Sequence, residues 1–189
     1  AVLELEPAAS VDLLVAAETP PGANTLQVAL AGPGGEMGRV VSLGALDVAS
    51  IPHLMEAPPM QVAVGAGFGE AITLLGYDLD RHEAARGETI HLTLYWQARQ
   101  GMQHEYTVFT HLLDAANHIS AQQDSVPAQG SRPTTSWVKG EIIVDEYQLV
   151  VKADAPLGEH QIEIGVYEPA SGRRLAVFDS SGQALGDRV

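Results

Sequence analysis

The sequence predicts an all-β protein in which antiparallel sheets bury their inner faces against one another. Three observations predict it. Apolar residues alternate with period two in short runs along the chain. Gly (19) and Pro (11) interrupt the 189 residues every few positions, leaving little room for long helices. Turn-forming residues stand between the runs where hairpins need them.

Taken in order, Val11–Ala17, Thr25–Ala31 and Arg39–Val48 read as strands. Ala45–Met55 is also a helical candidate, ended by Pro52, and Gly69–Leu75 is a second, weakened by its β-branched residues. Glu56-Ala57-Pro58-Pro59-Met60 reads as a proline-stiffened linker. Gly65-Ala66-Gly67-Phe68-Gly69 reads as a hinge; its glycines lie two apart and a strand follows, so it is not a nucleotide loop. Ala71–Leu79 alternates up to Gly76, and Ile72 and Leu74 stay in phase with Tyr77 and Leu79 only if a bulge sits there. Thr89–Trp96 turns Ile90, Leu92, Leu94 and Trp96 inward and His91, Thr93 and Tyr95 outward. Tyr106–Leu113 is apolar on both faces, which suits a central strand, with His111 read as a buried, hydrogen-bonded core histidine or, in the alternative, a pH-sensitive or ligand-facing one. Gln161–Tyr167 places Ile162, Ile164 and Val166 inward and Tyr167 outward. Asp114–Asn117 and Glu168–Gly172 are the hairpin turns. From residue 68 onward this makes roughly seven short strands, the count of a two-sheet sandwich.

The chain also repeats itself. Val11–Gly22 lies over Tyr147–Gly158 without a gap, an offset of 136, and the match continues from Ala23–Leu30 over Glu159–Val166. Gly38-Arg39-Val40 echoes Gly186-Asp187-Arg188-Val189. Each copy is a strand, an acidic residue with a Pro-x-Gly turn, and a second strand. Residues 1–48 therefore read as the C-terminal strands of a partial first module, 49–65 as a linker, and 66–189 as a nearly whole second module, as in a piece of a tandem protein. Three strands are too few to bury an inner face. The first segment is expected to dock on the second module or on another copy of itself through Leu13, Val15, Leu26, Val28 and Val40.

Composition excludes several classes. Ten Lys+Arg against 24 Asp+Glu give a formal charge of −14, which argues against nucleic acid or an anionic membrane surface as partner. The absence of Cys excludes disulfides, thiolate metal sites and a Cys nucleophile. No apolar run approaches the ~20 residues of a membrane span, so this segment is expected to be soluble. Any export signal is expected to have been removed or to lie elsewhere.

Phe68-Gly69-Glu70, Leu74–Leu79, Gly87-Glu88-Thr89, Leu92–Trp96, Tyr106–Asp114, and Trp137 followed by Gly140-Glu141 together resemble one module family. It is the immunoglobulin-like β-sandwich repeat appended to bacterial multi-spanning membrane proteins of the glycosyltransferase type that uses lipid-linked sugars. The resemblance covers Phe68–Val189 closely and the first part loosely. It implies an extracytoplasmic, non-catalytic accessory module without cofactors, tethered to a membrane protein, with neighbouring domains of the same polypeptide or a glycan as partners.

Residues with chemical potential are few. Asp78, Asp80 and His82 alternate, so on a strand they share a face that could hold a divalent cation, or simply face water. Asp145-Glu146 beside Glu141 reads as a solvated charge run or a calcium site. Ser125, His111 and Asp114 supply the residue types of a hydrolytic triad, but no Gly-x-Ser-x-Gly elbow frames a serine. Trp137 lies in a loop, where it either plugs the end of the sandwich or offers a face to a sugar ring. Tyr95, Tyr167 and Glu141 would join it in the second case, which makes a carbohydrate-binding module the alternative function.

Overall fold

The computed structural model describes residues 15–29, 34, 36–49 and 51–189. The chain divides into two compact units, 1–50 and 51–189. Both are all-β among the described residues, apart from a single 3-10 turn at Thr134–Ser136.

In the first unit β1 (Gly22–Val28) pairs antiparallel with β2 (Val41–Val48). Val28 faces Val41 at one end and Gly22 faces Val48 at the other, with a register shift between Leu26 and Gln27. The helical candidate at Ala45–Met55 is corrected here. Ala45, Leu46, Asp47 and Val48 complete β2 by pairing with β1, a tertiary contact that overrides a weak local helical preference. Of the expected first strand, Val11–Leu14 lie outside the described residues, as does Leu13 among the expected docking positions.

The second unit holds a six-stranded and a three-stranded sheet. The first runs β11-β10-β3-β4-β5-β8, from β3 (Val62–Phe68), β4 (Ile72–Leu79), β5 (Thr89–Ala98), β8 (Ile142–Val150), β10 (Val177–Phe178) and β11 (Ala184–Gly186). The second runs β7-β6-β9, from β6 (Thr107–Leu113), β7 (Ile119–Ser125) and β9 (Gln161–Tyr167). All pairings are antiparallel. The central position expected of Tyr106–Leu113 is that of β6, flanked by β7 and β9. The β4–β5 register shifts between Leu74 and Gly76, where the phase of the sequence breaks. A Cβ on Gly76 would overlap the Val62 carbonyl, so only glycine fits that close approach.

The hinge reading is corrected, and with it the far end of the 49–65 linker. The backbone of Leu54 bridges to Ile142, the Gln61 N–H donates to Asp78 Oδ1 at 2.5 Å, and residues 62–65 belong to β3. The glycine-rich stretch is therefore a strand rather than a hinge, with Gly69 at the β3–β4 turn. The second helical candidate, Gly69–Leu75, is that turn followed by the start of β4, whose β-branched residues fit a pleated surface better than a helix.

The inner faces of both sheets share one apolar core. Phe68, Leu74, Leu92, Leu94, Trp96, Tyr147 and Leu149 come from the larger sheet, and Val108, Leu112, Ile164 and Val166 from the smaller. Trp96 is fully buried, edge-on to Phe68 at 5.4 Å between ring centroids. Each fully buried aliphatic or Phe side chain contributes about 1.5–3 kcal/mol. Along one side the sheets are tied together: Gln123 of β7 accepts the Gln148 N–H of β8 at 2.6 Å, and Lys152 N–H donates to the Ser120 carbonyl at 2.8 Å. These contacts cover edge groups that would otherwise invite a foreign strand.

Candidate functional site

The segment between β7 and β8, residues 126–141, carries two of the side chains expected to meet a sugar, and both are turned inward. Trp137 is 1% exposed and belongs to the core, its indole N–H donating to the Arg132 carbonyl at 3.0 Å. Of the two readings left open for it, the structure shows the buried one. The platform reading is corrected, because the 3-10 turn at Thr134–Ser136 folds the loop back over the sheets. Thr134 pins that turn, donating to the His104 carbonyl and accepting the Tyr106 N–H, each at 3.0 Å.

Glu141 is fully buried rather than part of a solvated run. Its Oε1 receives Arg132 Nη2 at 2.5 Å and lies 2.8 Å from His53 Nδ1, while Oε2 accepts the Val138 N–H at 3.0 Å. A buried carboxylate is tolerated when a cation and further donors replace its water. Glu141 has both, and none of its capacity faces outward to a ligand.

Asp145, one residue type with two fates in sequence, is also fully buried. Its Oδ2 accepts the Trp96 indole N–H at 3.1 Å and the Tyr147 hydroxyl at 2.7 Å, and its Oδ1 accepts the Ala128 N–H at 2.8 Å. Burial holds this carboxyl above its ordinary value, although all three donors favour the ionised form. Burial, and then the neighbouring Asp145, push the Tyr147 hydroxyl upward as well. Alternation along β8 is what separates Asp145 from its exposed neighbours Val144 and Glu146. The calcium reading of Asp145, Glu146 and Glu141 is thereby corrected.

The acidic strand end is likewise spent locally. Asp78 accepts Gln61 N–H on one oxygen and the Tyr95 hydroxyl, at 2.7 Å, on the other. Asp80 accepts the His91 N–H at 2.8 Å and pairs with Arg81, and His82 is exposed. Among the described residues no three His, Cys, Asp or Glu side chains gather to hold a metal ion, and Asp78 and Asp80 spend their oxygens on neighbours in the fold. Tyr95, expected outward and accessible, is 7% exposed. Burial and then the Asp78 carboxylate push its hydroxyl up to about 12.

The triad residues serve separate duties. Ser125 donates to the Val126 carbonyl, and Asp114 caps its own turn by accepting the Ala116 and His118 N–H groups at 2.8 Å. His111 is half-buried on the outer face of the three-stranded sheet, not in the core. Its ring lies against Phe109, with Nε2 3.6 Å from Asp124 and Nδ1 3.9 Å from Glu163.

That outer face is the feature that sequence reasoning missed. Phe109 is 2% exposed although it points away from the core: the Arg174 guanidinium lies 4.3 Å above its ring. Glu163 gathers Arg188 at 3.0 Å and Arg174 at 3.8 Å beside His111. Half-buried Tyr167 flanks Phe109 at 6.4 Å, and burial, followed by Asp124, raises its hydroxyl. Arg174 lies in the connection between β9 and β10, and its pairing with Phe109 needs the fold to appear.

Two recesses open on the second unit. One, about 1140 Å³, lies at the end where the β4–β5, β6–β7 and β8–β9 connections meet; Ile90, Leu112 and Val151 line it, with Arg86, Asp114 and His160 among its polar groups. The other, about 660 Å³, is lined by Gly67, Thr73, Arg99, Phe178, Asp179 and Ser181 among others. Neither contains Trp137, Tyr95, Tyr167 or Glu141. No protein-family model matches the chain, and comparison with curated proteins finds no match.

Proposed function

We propose that this chain is a non-catalytic accessory module, a spacer or interaction unit, of the extracytoplasmic part of a membrane glycosyltransferase-like protein. In this reading the second unit is an immunoglobulin-like β-sandwich, and its partners are neighbouring domains of the same polypeptide. One observation carries the proposal: Trp137, Glu141 and Asp145, the residues best suited to stacking or acid chemistry, clamp the 126–141 segment onto the sheets. Such use favours a stiff body that holds its neighbours apart. The motifs from Phe68 to Glu141 support the family context.

Two measurements test the proposal. In the source cells, an antibody to the second unit is expected to find the protein in the membrane fraction, open to protease added outside the cytoplasmic membrane. A protease-shielded cytosolic pool would overturn it. Titration with hexose oligomers to tens of millimolar, followed by NMR, is expected to leave the amide spectrum unchanged, since millimolar binding corresponds to only about −4 kcal/mol and would still register. Saturable shifts would replace the spacer with a carbohydrate-binding module.

A further inference from the structure

The two units share local geometry at the 136-residue offset of the sequence repeat. Thr19 N–H donates to the Ala16 carbonyl at 2.9 Å, and at the matching positions Ala155 N–H donates to the Lys152 carbonyl at 3.1 Å. Gly22 and Gly158 both take positive φ, +102° and +129°. The Asn24 side chain lies 2.9 Å from the Gly22 carbonyl, and His160 Nδ1 lies 3.0 Å from the Gly158 carbonyl. Val28 pairs with Val41 in the first unit, and its counterpart Ile164 exchanges both backbone bonds with Val189, at 2.8 and 3.0 Å.

Beyond that pair the units differ. In the first, β2 runs on along β1, setting Leu26 opposite Gly44, Asn24 opposite Leu46 and Gly22 opposite Val48. In the second, the edge of β9 away from β6 is occupied at Val166 by Leu175 and at Ile164 by Val189. Among the described residues no backbone group pairs with Ile162 on that edge, the counterpart of Leu26. The next positions, His160 and Gly158, border the larger recess together with Ile162. Unpaired N–H and C=O groups beside apolar surface are what an added strand satisfies.

We propose that the β9 edge from Ile162 to Gly158 accepts one further antiparallel strand with the β2 pattern. The occupant follows from the first unit: an alternating Val/Leu strand with one glycine at the bulge, running on from the Val28–Val41 pair without an intervening turn. The three-stranded sheet becomes four-stranded. The inference rests on the repeat geometry and not on the cellular setting, so it stands or falls separately from the accessory-module reading.

The test is to extend the full chain after Val189 with the sequence of residues Ser42–Val48, and to make a control extension with prolines at alternate positions. Hydrogen exchange read by NMR is expected to slow at least tenfold at the Ile162 amide in the first extension only, with a rise in melting temperature. Equal exchange at Ile162 in the parent and both extensions would overturn the proposal. Protection of Ile162 in the unextended chain that grows with protein concentration would also overturn it, by showing that a second copy takes the edge.

Discussion

The indole N–H of Trp96 donates to Asp145 Oδ2 at 3.1 Å in the interior of the second unit, where neither residue is exposed. The pair spans β5 and β8, and Asp145 uses its other oxygen to hold Ala128, at the start of the segment that buries Trp137. One carboxylate thus links a core tryptophan, a core tyrosine and the fold of a long connection. Trp96→Ala removes a buried aromatic and orphans part of that acceptor. A loss of about 3–5 kcal/mol is expected in urea unfolding. A variant melting within a few degrees of the parent would show that the indole is not integral to the core.

The same carboxyl makes stability depend on pH. Burial raises Asp145 above its ordinary value of 3.8. Between that value and the higher folded one, the folded chain keeps a proton that the unfolded chain has released. The resulting contribution is complete below the unfolded value and is lost as pH rises through the folded value. Asp80, Asp114 and Asp179 are shifted downward and act in the opposite sense, so the comparison needs a reference variant. Measured against Asp145→Asn, the stability of the parent is expected to fall as pH rises from the ordinary value of 3.8 through the raised folded value. A difference that stays flat across this range would mean that Asp145 is ionised throughout.

Glu141 and Arg132 form the second buried clamp, with side chains 0% and 16% exposed. Glu141→Ala leaves the guanidinium facing an apolar interior and is expected to cost about 3–5 kcal/mol. Replacing both residues, Arg132→Met with Glu141→Leu, is expected to cost much less than the two single changes together, since no unpaired charge remains. Additive losses in the double-mutant cycle would show that the two side chains act independently.

Phe109 and Gly165 are directly opposed across β6 and β9, and the ring lies over the glycine. A Cβ at Gly165 would overlap the ring, so Gly165→Ala is expected to lose about 1–3 kcal/mol through overpacking. Phe109→Leu frees that space, and the double variant should be more stable than Gly165→Ala alone. If adding Phe109→Leu lowers the melting temperature further, the ring is not what the added methyl meets.

The outcomes of reading the residues before the fold divide along one physical line. Period-two alternation is a local property, so β4, β5, β6 and β9, the bulge at Gly76 and the inward course of Leu92, Leu94 and Trp96 were all legible in the sequence. The repeat was legible for the same reason, because a turn such as Ala16–Thr19 is encoded within four residues. Side chains whose environment is made by distant segments were not. Trp137 and Glu141 stand in a polar loop, and only the return of that loop over the sheets, fixed by Thr134 to His104 and by Arg132 to Glu141, takes them out of water. Tyr95 alternates outward as expected, yet Asp78 of the adjacent strand closes over it. Strand periodicity determines which way a residue points; whether water, a carboxylate or another loop waits there is decided by chain segments far away in sequence, and only the tertiary structure brings them together.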